Sequence, residues 1–193
     1  MKMIIVFIGF LLFFSVSTFA GDLIPCHYYS IGSDDFITDE GCFQSKAIND
    51  DTSETDGYIN QDVILQARYD ADGLGVLWGS SGIYYFNANG KLRRVVNFDN
   101  GADYFSEGLA RSVWNNKVGY INKQLDIVIS PVYDFAYPFN DGLALVCSGC
   151  VDQRIKEYSS RVGGHWGIIN QQGEIVVPIS YTRDVAIQKL KRD

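Results

Sequence analysis

The sequence contains little histidine and has a shortage of positive charge, and each shortage excludes a class of function. Only 2 histidines, His27 and His165, occur among 193 residues, so a metal site built from three histidines is impossible. The chain has 23 aspartates and glutamates but 16 lysines and arginines, which gives a formal net charge of −7. Proteins that hold nucleic acid through its phosphates carry a basic face. We therefore expect no nucleic-acid partner.

Known catalytic motifs are also missing. The chain contains no glycine-rich phosphate loop, no metalloprotease helix motif and no nucleophile elbow. Adjacent carboxylates such as those of Asp34 and Asp35 do not form a glycosidase pair, which needs two carboxyl groups held across a cleft. Residues 50–56 are acidic but lack the ligand spacing of a calcium loop. We expect a protein that is not an enzyme and that binds neither a cofactor nor a metal.

The first twenty residues have the layout of a secretory signal peptide. Lys2 precedes an apolar stretch over residues 3–14, and Thr18 and Ala20 are small residues at the −3 and −1 positions of a cleavage site. A retained membrane anchor is the alternative, but the stretch is short against the roughly 20 residues that a spanning helix needs. We predict cleavage after Ala20, no membrane span in the mature chain, and a location in the periplasm or outside the cell.

Four cysteines in an oxidising compartment predict disulfides. They permit three pairings, of which we favour Cys26–Cys42 and Cys147–Cys150. The second pair, a Cys-x-x-Cys sequence, is also compatible with a redox dithiol or half of a metal site. A redox cysteine is expected at a helix N-terminus, whereas a strand-like run precedes this one. A zinc site needs further ligands, and His165 is the one candidate.

Self-comparison reveals an internal repeat. Residues 85–92, 120–127 and 168–175 resemble one another, and so do residues 105–110 and 139–144, which both read Phe-x-x-Gly-Leu-Ala. Asn122 follows Asn87 by 35 residues, whereas Asn170 follows Asn122 by 48. The second unit therefore carries an insertion of about 13 residues, and it lies between residues 144 and 165.

Each unit is predicted to consist of strands and tight turns. Asn-x-x-Gly between two β-rich runs is a hairpin turn in which glycine supplies a positive φ. Leu125 occupies the glycine position of the second unit, which leaves the form of that turn open. Pro131 and Pro178 are expected to end their strands. We predict an all-β fold, an array of antiparallel β-hairpin repeats of about 35 residues each.

The repeat resembles a known family. Trp166-Gly167 begins a run that continues Ile-Ile-Asn-x-x-Gly-x-Ile-Val-x-Pro-x-x-Tyr, and with the upstream Phe-x-x-Gly-Leu-Ala it resembles the WG-repeat (KWG-repeat) family over residues 76–183. The name-giving pair is replaced by Val118-Gly119 in the second unit and by Gly82-Ile83 in the first, while Trp78-Gly79 lies too early to align. The resemblance implies a β-rich array of a kind found in secreted bacterial proteins. It implies no single activity and transfers no catalytic residue.

The remaining segments differ in character. Residues 21–75 are predicted to form an N-terminal cap region, in which residues 50–57 are an acidic loop and residues 36–41 a degenerate hairpin. Residues 63–69 have the pattern of a strand, with a short helix as the alternative. Residues 184–193 form a basic C-terminal tail, for which we expect a frayed end.

The insertion, residues 147–164, is the candidate binding loop, because long loops on rigid scaffolds often carry function. An ornamental insertion without a partner is the alternative. Its candidate contact residues are mixed in charge: Asp152, Arg154, Lys156, Glu157, Tyr158 and Arg161.

These observations predict a secreted, non-enzymatic binding module whose partner is a protein or an envelope glycan. One form of it is an immunity-type protein that neutralises an envelope-targeted toxin. Cell-wall attachment is a second hypothesis, with sugars stacked on Tyr84, Tyr85, Trp114 and Tyr137. A thiol enzyme that uses the Cys-x-x-Cys pair is a third.

Overall fold

The computed structural model of the chain describes residues 23–45, 56–155 and 158–190. These residues form an antiparallel β structure with two short helices, which confirms the all-β prediction. The predicted signal peptide and residues 50–55 of the predicted acidic loop lie outside the described residues.

The strands follow one another along the chain as short, mostly hairpin-connected elements. Before the repeats lie β1 (Ile24–Tyr29), β2 (Phe36–Ser45), β3 (Gly57–Ile59) and helix α1 (Gln61–Gln66). The first repeat contains β4 (Leu74–Gly79), β5 (Gly82–Asn87) and β6 (Leu92–Val95), and the ribbon β7 (Asn97–Phe98) and β8 (Gly101–Ala102) follows it. The second repeat contains β9 (Ala110–Trp114), β10 (Lys117–Ile121) and β11 (Ile127–Tyr133), followed by β12 (Phe135–Ala136). The third contains β13 (Leu143–Ile155), β14 (Tyr158–Asn170) and β15 (Ile175–Tyr181), followed by helix α2 (Arg183–Leu190).

Each repeat is a three-stranded antiparallel meander. The first two repeats share a nine-stranded sheet with the order β11-β10-β9-β6-β5-β4-β1-β2-β3, whereas the third forms a separate sheet, β12-β13-β14-β15. Strands β1 to β3 belong to the large sheet because β1 pairs with β4 of the first repeat. The region before the repeats therefore continues their sheet.

Two local predictions for that region need revision. Residues 36–45 form the single strand β2, and not the degenerate hairpin expected at 36–41. Residues 61–66 form helix α1, the alternative to the predicted strand. Asn60 caps this helix by accepting a hydrogen bond from the Asp62 backbone N–H at 3.1 Å, and Val63 is fully buried beneath it.

The asparagine turns have one geometry in all three repeats. In each, the asparagine side-chain oxygen accepts hydrogen bonds from the backbone N–H groups two and four residues later, at 2.9–3.1 Å. The fourth turn residue has a positive φ, +80° at Gly90, +61° at Leu125 and +80° at Gly173. Leu125 therefore preserves the turn although it is not glycine. Asp70 forms the same turn ahead of β4, a fourth copy that the sequence analysis missed.

The glycine of the WG pair lies opposite a bulge in the neighbouring strand. In the second repeat, Val118 pairs with Tyr133 and Tyr120 pairs with Ile129, so three residues of β11 lie opposite the single residue Gly119. A methyl group on Gly119 would stand 2.3 Å from the carbonyl oxygen of Ile129. Only glycine permits this approach of the two backbones.

The third repeat has the same arrangement, and the first does not. Trp166 pairs with Tyr181 and Ile168 with Val177, and a methyl group on Gly167 would stand 2.5 Å from the carbonyl oxygen of Val177. In the first repeat Tyr84 occupies the glycine position, one residue after the Gly82-Ile83 pair that the sequence analysis aligned there. Its strand pairs with β6 in an unbroken register.

A buried tyrosine joins each of the first two repeats to the segment that follows it. The Tyr85 hydroxyl donates a hydrogen bond to the backbone carbonyl of Asp103 at 2.8 Å, and its ring packs on Phe105. Tyr120 makes the corresponding bond to the Tyr137 carbonyl at 2.6 Å, with its ring centroid 4.6 Å from that of Phe139. The two Phe-x-x-Gly-Leu-Ala segments thus dock on the middle strands of the repeats that precede them.

We predict that Gly119→Ala destabilises the fold by about 2–3 kcal/mol, because the added methyl group forces the bulged backbone to move. Thermal or urea unfolding measures the change. The matched control is Gly101→Ala, where φ is not positive and the new methyl group meets only the Phe98 carbonyl oxygen at 3.7 Å. Equal loss of stability in the two variants would contradict the role assigned to the bulge.

We also predict that Leu125→Gly is more stable than Leu125→Ala by about 1 kcal/mol, because alanine retains the cost of a positive φ and glycine does not. Both variants lose a side chain that is fully buried, so both are less stable than the parent. Leu92, equally buried but in a strand with ordinary φ, provides the control pair. There we expect alanine to be the more stable, and the same order at both sites would contradict the prediction.

Candidate functional site

The insertion between residues 147 and 164 is a β-hairpin, not the loop that the sequence predicted. Strands β13 and β14 continue their antiparallel pairing from Leu143↔Asn170 out to Ile155↔Tyr158. Residues 150–155 and 158–163, here called the hairpin extension, form its outer half. Residues 151–154 of the extension are all exposed, and their sequence accordingly lacks the apolar alternation that marks a half-buried strand.

Glycines distort the base of the hairpin extension. Gly149, Gly163 and Gly164 all have positive φ, from +65° to +78°, so the backbone leaves the extended conformation on both strands at one level. Cys147 and Cys150 span this level at disulfide distance, with their Cα atoms 6.1 Å apart. The predicted cysteine pair therefore lies at the point where the extension departs from the sheet.

Neighbouring elements fix that base in place. The Asp134 carboxylate accepts hydrogen bonds from Lys117 Nζ at 2.5 Å and from the Gly149 backbone N–H at 2.6 Å. The hydrogen bond from Lys117 lowers the pKa of Asp134 below its usual value. On the other strand, the buried Trp166 indole donates to the Gly163 carbonyl at 2.9 Å. The tryptophan of the WG pair thus supports the strand from which the extension begins.

The predicted contact residues are distributed along the extension. Asp152 and Arg161 pair across the two strands with an ion pair of 2.6 Å, and Arg154 is exposed two residues further out. Tyr158 pairs with Ile155 at the end of the described part of the hairpin. Lys156 and Glu157 lie outside the described residues.

The two edges of the hairpin extension carry no third strand within the described part of the chain. Strand β12 pairs with β13 only at Val146 and Cys147, and β15 pairs with β14 no further out than Trp166. Beyond these points neither strand pairs with another strand of the described residues, although the Gly149 N–H binds Asp134 and the Gly163 carbonyl accepts from Trp166. An isolated two-stranded ribbon is marginally stable by itself, so the extension is suited to pairing with another chain.

Helix α2 packs against the third repeat, where the sequence predicted a frayed tail. Ala186 is fully buried in the cluster that contains Trp166, and Arg183 donates a hydrogen bond to the Tyr137 hydroxyl at 2.7 Å. Lys189 lies over the ring of Tyr181 at 4.7 Å. Residues 183–190 therefore cover the end of the repeat array.

A separate patch of aromatic rings is exposed on strands β1, β2 and β4. The aromatic patch, as we call it here, consists of His27, Tyr29, Phe36 and Trp78, whose ring centroids lie 5.0–5.8 Å apart. His27 and Phe36 are stacked, and the other rings meet tilted or edge-on. Phe36 is half exposed, and Arg68 lies 4.7 Å above the ring of Tyr29. In β1 the exposed His27 and Tyr29 alternate with the buried Cys26 and Tyr28.

The aromatic residues predicted from the sequence to stack on sugars are less accessible than those of the aromatic patch. Tyr84 and Tyr85 are both buried, on opposite faces of β5, so neither ring is available to a ligand. Trp114 and Tyr137 are half-buried. The assignment was wrong for the first two because both faces of this strand are covered by packing.

The remaining groups that could carry chemistry are the cysteine pairs and the potential metal ligands. Cys26 and Cys42 are buried and at disulfide distance, with Cα atoms 5.7 Å apart. Cys147 lies in a strand and is buried, unlike the helix N-terminal cysteine of a redox dithiol.

The residues that the structure describes contain no group of three or more potential metal ligands. None of their helices has the length and apolar character needed to cross a membrane.

Residues 119–149 and 166–183 match the family model of the WG-containing repeat. These segments are WG-containing repeats. The first match runs from β10 of the second repeat through β12 into β13 of the third, and the second match runs from Trp166 to the first residue of helix α2. Comparisons with curated proteins and with solved structures found no match. The first repeat lies outside the matched residues but has the same meander, asparagine turn and buried tyrosine as the second WG repeat.

Proposed function

We propose that this protein is a secreted or periplasmic binding module without catalytic activity, whose WG-repeat scaffold presents the hairpin extension to a protein partner. The observation that carries the proposal is the pair of open strand edges on the extension. Addition of a partner strand to such an edge is a common mode of protein recognition, in which backbone hydrogen bonds supply affinity and side chains supply specificity.

The scaffold supports this role by holding the base of the extension rigidly. Trp166 is buried, Asp134 binds the Gly149 backbone, and the Cys147–Cys150 pair closes a small ring between them. A preordered base lowers the entropy that is lost when the extension binds. The exposed Arg154 and the Asp152–Arg161 pair give the open edges a charge pattern with which to select a partner.

Replacement of residues 152–161 by Asn-Gly tests the proposal, because it closes the hairpin with a two-residue turn directly after Val151↔Val162 and retains both cysteines. We expect the shortened protein to keep its thermal midpoint within a few degrees and to lose its partner in affinity capture from envelope extract. The control is Asn116→Gly, which alters a hairpin turn elsewhere. An unchanged set of captured proteins would contradict the proposal, and an envelope-targeted toxin in that set would place the protein in the immunity class.

Glycan binding is a second candidate, and the aromatic patch favours it. Exposed rings on adjacent strands offer flat apolar faces, and Arg68 and His27 place polar groups beside them. Exposed apolar clusters of this kind mark interaction surfaces more often than isolated surface aromatics do.

We predict that, if the patch binds cell-wall glycan, Phe36→Ser weakens co-sedimentation with purified peptidoglycan several-fold. The matched control is Phe98→Ser on ribbon β7, because Phe98 is 48% exposed and Phe36 is 50% exposed. A parent protein that does not sediment with peptidoglycan would exclude this candidate. Equal losses in the two variants would remove the patch from the mechanism.

A further inference from the structure

A cleft of about 350 Å³ lies between the first two WG repeats and the base of the third. Its walls include Gly82 and Arg94 from the first repeat, Val118 from the second, Phe135 from β12 and Arg161 from the hairpin extension. It is distinct from the aromatic patch and from the open strand edges.

Arg94 is positioned in this cleft by its backbone and by a glycine. Its backbone N–H donates to the Asp56 carboxylate at 2.7 Å, which fixes strand β6 at this point. Its guanidinium lies against Gly82, where an added methyl group would stand 2.9 Å from Nε. Gly82, with a φ of +139°, therefore leaves the space that the Arg94 side chain occupies.

The other charged groups around the cleft are paired with one another, which leaves Arg94 without an ion-pair partner among the described residues. Arg111 is paired with Asp103, Arg161 with Asp152, and Asp134 with Lys117. The nearby Asp56 is paired with Arg93, which is buried beside it.

No carboxylate among the described residues lies within ion-pair distance of the Arg94 guanidinium. Arg94 is half-buried. A partly desolvated guanidinium without an ion-pair partner favours an anionic ligand.

The lining of the cleft also includes apolar side chains in fixed positions. Arg161 lies over the Phe135 ring at 4.7 Å and is held there by Asp152. Val95 and Val118 are buried nearby. A ligand that fits therefore combines one negative charge with an apolar group.

We propose that this cleft binds an organic monocarboxylate with an apolar side chain, and that Arg94 is the residue that binds the carboxylate. The guanidinium matches a carboxylate in charge and in its two parallel donors. Such a group is found on a small free acid and at the C-terminus of a peptide. The proposal goes beyond the binding module described above and does not depend on it, because Arg94 lies outside the hairpin extension.

The test uses N-acetyl-leucine and N-acetyl-leucinamide, which differ in charge but hardly in shape, with the full mature chain. We expect the acid to shift the Arg94 Nε–H resonance saturably and the amide to leave it unchanged. A leucine-terminated tripeptide that binds more tightly than N-acetyl-leucine identifies a peptide C-terminus as the ligand. Tighter binding of N-acetyl-leucine identifies a small acid.

Substitution assigns the binding to Arg94. Arg94→Gln should weaken binding of N-acetyl-leucine at least about tenfold, because a charge-assisted hydrogen bond is lost. Lys123→Gln, which removes a cation paired with Asp72 at the surface, should leave it unchanged. Equal binding of acid and amide by the parent would overturn the proposal whether or not Arg94→Gln folds, and so would undiminished binding by a folded Arg94→Gln protein.

Discussion

A buried hydrogen bond from one tyrosine holds each of the first two repeats to the segment after it, and the array depends on this bond. Tyr85 donates to the carbonyl of Asp103 and Tyr120 donates to the carbonyl of Tyr137, and each carbonyl lies two residues before a Phe-x-x-Gly-Leu-Ala segment. Burial raises the pKa of Tyr85 to about 12 and raises the pKa of Tyr120 as well, so both hydroxyls stay protonated and donate over the whole physiological range. The third repeat has Ile168 at this position, no further Phe-x-x-Gly-Leu-Ala segment, and helix α2 as its cover.

The tryptophan and the glycine of the WG pair have different physical roles. This difference explains why the second repeat retains the glycine but not the tryptophan. Gly119 and Gly167 face backbone atoms of a bulged strand, where any side chain would collide. Trp166 fills a hydrophobic cluster, and such a position accepts another apolar side chain if the neighbours repack. Val118 occupies that position in the second repeat, where it is buried. Tyr84 stands at the glycine position of the first repeat because its partner strand has no bulge there.

The parts of the structure that sequence could predict are those fixed by local backbone chemistry. The asparagine turns and the all-β class follow from side-chain hydrogen bonding and from positive φ, which are local properties. Asp70 makes the same turn but lies outside the aligned repeat, so self-comparison did not reveal it. Burial is not local: Tyr84 and Tyr85 are both covered because strands from two repeats and from the N-terminal region meet at β5. The surroundings of Arg94 could not be predicted from the sequence either, since Gly82, Phe135 and the hairpin extension come near it only in the folded chain.

The acidic composition describes the surface of this protein and not its interior. Arg93 binds Asp56 and also donates to a carbonyl of the second repeat, while Arg111 binds Asp103 and also donates to a carbonyl of β12. Each arginine therefore links two consecutive parts of the array. Its charge is neutralised by a buried carboxylate, that of Asp56 for Arg93 and that of Asp103 for Arg111. A buried ion pair is retained only when its hydrogen bonds are satisfied, since desolvation otherwise outweighs the attraction of the charges. Arg94 follows Arg93 directly in the chain, yet its side chain enters the cleft on the other face of β6, where the lining carboxylate of Asp134 is paired with Lys117. A net charge of −7 is therefore compatible with a local site for an anion. Charges spread over the surface are screened by salt, so the Arg94 guanidinium dominates the electrostatic potential inside the cleft.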